Sequence, residues 1–149
     1  MPLDQSFVGR VYPPTPPYEV GREKIREFAD AIGDANPAYR DPAVAKELGH
    51  SDVIAPPTFG IIVTSRAGHQ VIMDPELGVD YSRVVHGEQR FTYVRPIRAG
   101  DALSVVVTVE SVRSVGGNDI VSTKGDVSTV DGDPVLTAYN TIVVRGADS

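Results

Sequence analysis

The pattern of apolar and polar positions changes character near the middle of the chain. In residues 22–33, Ile25, Phe28, Ala29 and Ile32 fall at i, i+3, i+4 and i+7, the spacing of one helical face. Arg22, Glu23, Lys24, Arg26 and Glu27 populate the opposite face, and Gly33 supplies a stop. A second, short helix is predicted after Asp41, a good N-cap, with Pro42 at the first helical position, where its missing N–H costs nothing. Val44, Ala45 and Leu48 form its apolar stripe, and Gly49 ends it. Residues 51–57, SDVIAPP, read as a loop. Thr58 is placed to cap a third helix that runs to about Met73, before Asp74-Pro75. Phe59, Ile61, Ile62, Val63, Ala67, Val71 and Ile72 make this segment apolar on most sides, which predicts a buried helix.

From about Tyr81 onward β-branched and aromatic residues dominate. Leu103, Val105, Val107 and Val109 alternate with Ser104, Val106, Thr108 and Glu110, the period of a strand with one buried face. Leu136, Ala138, Ile142 and Val144 repeat the pattern. Gly116-Gly117-Asn118 and Asp131-Gly132 are hairpin turn signals. Four strands are predicted, near 82–95, 102–113, 119–129 and 134–145, each joined to the next by a short connection and therefore antiparallel. Helices first, one of them buried, then a run of strands: this defines an α+β domain in which an antiparallel sheet covers a central helix.

Ahead of the first helix, YPPTPPY (residues 12–18) must be extended, because consecutive prolines fix φ and remove N–H donors. It reads as a stiff N-terminal arm, over about residues 11–18, lying on the domain; a proline-recognition ligand is the alternative. The length of 149 residues suits a single domain over 1–149. A net charge of −6 argues against a nucleic-acid surface, and the absence of cysteine excludes disulfides and thiolate chemistry. No signal-peptide pattern is visible, and no apolar run approaches the roughly 18 residues of a membrane span. A cytoplasmic protein without membrane or nucleic-acid partners is expected.

The loop GDANPAY, Gly33 to Tyr39, carries the candidate chemistry. Gly33-Asp34-Ala35-Asn36-Pro37-Ala38-Tyr39, then Asp41-Pro42, resembles the motif Gly-Asp-x-Asn-Pro-x-His of the MaoC-like (R)-specific enoyl-thioester hydratases and (3R)-hydroxyacyl dehydratases. Downstream, YVRPIRAGDAL resembles that family's strand connection, with Pro96, Gly100 and Asp101 in place. The arm, the EVGREKIREFA helix, the APPTF loop and VVHGEQRF carry a narrower resemblance. It is to the short actinobacterial dehydratase subunits that pair with a separate catalytic subunit in fatty-acid elongation, the FAS1-like dehydratase type. The resemblance implies a single hotdog fold and a homodimer, or a heterodimer with a catalytic hotdog subunit. It implies an acyl-CoA or acyl-carrier-protein (acyl-ACP) thioester as ligand, and no cofactor.

In active members of that family the motif Asp and His hold and activate water, and a backbone N–H at the start of the buried helix faces the thioester oxygen. The resemblance assigns the Asp to Asp34 and gives Asn36 the bracing of the loop. Tyr39 stands where the His belongs. An imidazole titrates near about pH 6.5 and a phenol near about 10, so Tyr39 is a poor general base at neutral pH. At the helix start, where active members carry His-Gly, this chain has Ala55-Pro56-Pro57-Thr58-Phe59-Gly60; proline has no N–H, so any backbone donor beside Pro57 comes from Thr58, Phe59 or Gly60, or the site has none. Of the three histidines, His50 reads as surface, His69 as a structural residue of the buried helix, and His86 as the only substitute acid or base. No His pair has metal-ligand spacing, so no metal is expected. Arg83, Arg90, Arg95 and Arg98 form either a patch for an acidic carrier or solvated strand charges. Three readings follow: a substrate-binding dehydratase subunit whose partner supplies the Asp/His pair; a homodimeric hydratase using Asp34 with Tyr39 or His86; or a non-catalytic acyl-thioester-binding module.

Overall fold

The structure, a computed structural model, describes residues 3–146. The outermost residues of the predicted 1–149 domain lie outside that range.

Five strands form one antiparallel sheet: β1 (Tyr18–Glu19), β2 (Val84–Tyr93), β3 (Ala102–Val115), β4 (Asn118–Thr129) and β5 (Pro134–Val144). Their order is β1-β3-β4-β5-β2. The alternation in β3 is realised, with Leu103, Val105, Val107 and Val109 buried and the residues between them less so. Gly116 and Gly117 alone separate β3 from β4, both at positive φ (59° and 83°), as a two-residue hairpin of right-handed twist demands. The strand predicted near 82–95 does not pair with its successor. β2 crosses the sheet and runs antiparallel to β5, from Val84 opposite Val144 to Tyr93 opposite Leu136. Connection length alone does not reveal this, because residues 94–101 form an ordered loop that carries the chain across.

Three helices precede or interrupt these strands: α1 (Arg22–Ala31), α2 (Pro42–Glu47) and α3 (Gly60–Ile72). The sheet curls around α3, the hotdog arrangement. Val63, Ala67 and Val71 of α3 enter the core with Val105, Val107 and Val121 of the sheet. α1 closes one end, burying Ile25 and Ala29 and setting Phe28 edge-on against Phe59 at 5.4 Å. Ile32 and Leu48, each counted in an apolar stripe, sit on the C-terminal caps of α1 and α2 and are largely exposed, because both helices end before the stripe closes.

α3 is less enclosed than its composition predicts. Ser65, Arg66 and His69 are exposed, since the sheet of one chain covers only one side of the helix. His69 is therefore not a buried structural residue; its ring packs edge-on against Tyr81 at 5.9 Å. His50 is half-buried rather than surface. Thr58 does not cap the helix. The N-cap is Phe59, without a side-chain hydrogen bond, and the Thr58 carbonyl instead accepts the Ile61 N–H at 3.2 Å.

The proline-rich arm lies along β3 as an additional extended edge. The N–H groups of Gly9, Tyr12 and Thr15 donate to the carbonyls of Val109, Val107 and Val105 at 2.8, 2.8 and 3.0 Å. Pro13, Pro14, Pro16 and Pro17 occupy positions that contribute no donor to this ladder, which is how a Pro-rich segment can still line a sheet edge. The arm is clasped at the far end of α3. Tyr12 Oη donates to Asp74 Oδ2 at 2.7 Å, and Arg10 Nη1 reaches Asp74 and Glu76 at 3.2 and 2.9 Å.

That hydroxyl, the Glu76 N–H and Arg10 hold the Asp74 carboxyl below the usual carboxylate range. Burial, then the Asp74 carboxylate, pushes the Tyr12 phenol up to about 12. A lowered carboxyl pKa stabilises the fold above the ordinary value near about 4, and the contribution is lost as pH falls through the lowered value. Tyr12→Phe is expected to cost about 1 kcal/mol near neutrality. Urea melts should show that deficit shrinking in strong acid; a deficit unchanged at about pH 2 would exclude a charge-assisted contact.

Candidate functional site

The motif loop is fixed from its first residue. α1 ends in a Schellman turn: Gly33 at φ 72° donates to the Asp30 carbonyl at 3.1 Å, and Asp34 N–H donates to the Ala29 carbonyl at 2.9 Å. Asp34 is thereby locked to the end of α1. Its Oδ1 accepts the Asn36 N–H at 3.1 Å, and its carbonyl accepts Arg40 Nη2 at 2.6 Å. Asn36 Oδ1 caps a single 3₁₀ turn, Pro37–Tyr39, by accepting the Ala38 N–H at 3.0 Å. This turn directs Tyr39 inward, where it is only 6% exposed.

Tyr39 and Asp34 interact. Burial first, then the neighbouring Asp34 carboxylate, raises the Tyr39 phenol above its ordinary value, against a weaker opposing effect from Asn36. At neutral pH the phenol keeps its proton. It can donate a hydrogen bond or line a cavity, and it cannot serve as the base that an imidazole provides.

Tyr39 lines a largely apolar cavity of about 360 Å³ with Ile54, Ala55, Pro57, Tyr93, Arg95 and Pro96. The fold thus joins Tyr39 and Pro57, two of the predicted site residues. It adds Tyr93 and Arg95, which the sequence reading did not single out for this site; the Tyr at the end of VVHGEQRFTY was the available signal. Arg95 is held by a bidentate pair with Asp101, both bonds at 2.9 Å, and Asp101 also accepts the Arg98 N–H. Asp101 is buried, so this pair pins the 94–101 connection that flanks the cavity.

Of the backbone donors at the start of α3, that of Phe59 is occupied. Phe59 N–H donates to the Pro56 carbonyl at 2.9 Å. Tyr93 Oη donates to the Pro57 carbonyl at 2.6 Å and lies against Gly60. Burial pushes the Tyr93 phenol up to about 12, partly offset by the nearby Gly60 backbone. The Phe59 side chain is fully buried, and Thr58 is exposed. Gly60 is tightly packed: an added Cβ would lie 3.0 Å from Phe91 Cε1 and 3.2 Å from Tyr93 Oη.

His86 is elsewhere. It lies on β2 beside a bulge, where the register slips between His86 and Glu88, and its side chain is exposed. It lines a different cavity of about 420 Å³ between α3 and the inner face of the sheet. The structure does not gather His86 with Asp34 and Tyr39 in one cavity, and among the described residues no carboxylate lines the cavity that holds His86. The four arginines do not converge either. Arg83 pairs with Asp80, Arg90 stacks on Tyr139 at 4.0 Å, and Arg95 and Arg98 turn to Asp101. Among the described residues no group of three or more His, Asp or Glu side chains is arranged to hold a metal, and no helix is long and apolar enough to cross a membrane.

A curled sheet around one helix, with this loop at the helix end, defines a hotdog domain of the dehydratase type. The family model described as "FAS1-like, dehydratase domain region" matches residues 6–138, and the chain belongs to that family. A UPF0336 protein of Streptomyces griseus is 62% identical over 148 residues, covering 99% of each chain. A solved MaoC-like dehydratase superposes with a TM-score of 0.87 at 36% identity, over 96% of this chain and 43% of that longer one. The C-terminally truncated HadBC (3R)-hydroxyacyl-ACP dehydratase complex of Mycobacterium tuberculosis gives a TM-score of 0.82 at 32% identity, over 92% of this chain and 96% of the matched one.

Two substitutions test the helix start. Tyr93→Phe is expected to lower stability by about 1–2 kcal/mol, because the Pro57 carbonyl loses its donor. Gly60→Ala should cost a similar amount, about 1–3 kcal/mol, through overpacking against Phe91. Denaturant midpoints equal to wild type would show that neither contact matters.

Proposed function

We propose that this chain is a subunit of a (3R)-hydroxyacyl-thioester dehydratase, or enoyl-thioester hydratase, in fatty-acid metabolism. It binds the acyl thioester, from CoA or a carrier protein, and stabilises the dimer. The complete Asp/His pair resides on a partner hotdog chain. The observation that carries this reading is Tyr39: a buried phenol raised by burial and by Asp34, at the position of the motif base. Tyr93 supports it. Its hydroxyl sits against Gly60, at the start of α3, where a thioester oxygen would be stabilised.

Two further features fit a binding role. The cavity of about 420 Å³ between α3 and the sheet is within the range of small-molecule pockets and is the proposed seat of the acyl chain. Among the described residues β2 is an edge strand paired only with β5, and Val85 to Glu88 are exposed along it. An uncovered edge of this kind is the natural place for a second hotdog to continue the sheet. The HadBC neighbour is itself a complex of two chains by its name, which suits the assembly proposed. Asp34 remains part of the proposed site, oriented but without a base of its own, with Asn36 bracing it and Pro57 to Gly60 forming the adjacent wall.

A self-sufficient homodimer using His86 has one point in its favour, since His86 lines the larger cavity. Among the described residues, no carboxylate in that cavity is placed to orient water with it.

The purified chain alone is expected to hydrate crotonyl-CoA no faster than background. Mixed with a hotdog subunit that carries the intact Gly-Asp-x-Asn-Pro-x-His motif, it should form a dimer that turns over at an ordinary enzymatic rate, about 1–10³ per second. Such a rate from the isolated chain, abolished by Asp34→Asn, would establish the self-sufficient enzyme instead. An acyl-CoA that binds without turnover in any pairing would leave only a binding module.

A further inference from the structure

The cavity between α3 and the sheet exists because small residues face it: Gly68 on the helix, Gly125 and Ala138 on the sheet. Its sheet wall is not apolar. Gln89 lies opposite Asn140 across β2 and β5, and Asn140 lies opposite Thr123 across β5 and β4. All three side chains line the cavity, so they form one polar row across three strands.

Two atoms of this row are anomalous. Gln89 Nε2 and Asn140 Oδ1 are buried, and neither has a hydrogen-bond partner among the described residues. A buried polar atom left unmade is costly, and native folds rarely retain one without a use. One atom is a donor and the other an acceptor, on adjacent strands, yet they do not satisfy each other. A methylene chain passing over them would leave both unsatisfied. A carbonyl oxygen could take only the Gln89 N–H. A hydroxyl satisfies both at once, its oxygen accepting from Gln89 and its O–H donating to Asn140.

We infer that this cavity selects acyl chains bearing a hydroxyl along their length, with Gln89 and Asn140 as the residues that determine that preference. The group recognised is not at the reacting end of the ligand, because no residue of the 33–39 motif loop lines this cavity. Tyr93, which does belong to the motif-side cavity, is four residues further along β2 than Gln89, roughly 13 Å at the rise of an extended strand. The inference rests on the proposal that the acyl chain occupies this cavity.

The test is calorimetric titration of the full chain, alone and in its hotdog pair, with saturated dodecanoyl-CoA and with its regioisomers carrying one hydroxyl between carbon 6 and carbon 12. At least one hydroxylated isomer should bind about tenfold more tightly than the plain chain, the effect of one well-placed pair of hydrogen bonds. In the Gln89→Leu/Asn140→Leu double variant the order should reverse, with the plain chain bound more tightly. Each single variant should show an intermediate preference and serves if the double variant does not fold. Equal binding of plain and hydroxylated chains by the wild type would overturn the inference and assign the pair to ordered water only. The same preference in wild type and variants would also overturn it. Failure of every chain to bind, alone or in the pair, would instead overturn the placement of the acyl chain in this cavity, and this inference with it.

Discussion

The structure depends on one mismatch of size: a single helix must cover the inner face of a five-stranded sheet. α3 has 13 residues, roughly 20 Å of helix, whereas β3 has 14 residues, which reach roughly 45 Å in extended form. A helix of that length fills the middle of the curl and leaves the ends to other elements. α1 and the Phe28–Phe59 contact close one end. The proline arm covers the β3 edge and is tied down beyond the C-terminus of α3 by Tyr12 and Arg10. What remains uncovered is the space beneath Gly68 and the outer edge of β2.

The motif loop is held by backbone geometry rather than by the chemistry of its side chains. The Schellman turn sets Asp34, the Asn36 cap sets the 3₁₀ turn, and that turn drives Tyr39 into the protein. Asp34, Asn36 and Pro37 each contribute to that shape, whereas Tyr39 is the residue the turn presents to the cavity. Two phenols, Tyr39 and Tyr93, flank this site, and both keep their protons at neutral pH.

Much of this was legible in the chain. The helical stripes, the alternation from Leu103 to Val109, the paired-glycine hairpin and the extended arm all follow from local rules, since period, capping and φ are properties of neighbouring residues. The motif resemblance led to a hotdog of the dehydratase type, and the fold and the family bear it out. The local rules were less reliable at element ends. Thr58 looked like a cap and is not one, and Ile32 and Leu48 looked like core and are exposed, because a helix one residue shorter turns its last apolar position outward.

By itself, then, the sequence determined which segments are helix and which are strand, and that a tyrosine ends the loop that follows the first helix. Both depend on residues close together in the chain. Only the tertiary structure decided that β2 crosses to pair with β5, that His86 and Tyr39 face different cavities, and that Tyr93 meets Pro57 and Gly60. It alone brought Gln89 beside Asn140. These are contacts between positions tens of residues apart, set by how the sheet curls around α3, and no periodicity or spacing along the chain encodes which side chains that curl brings face to face.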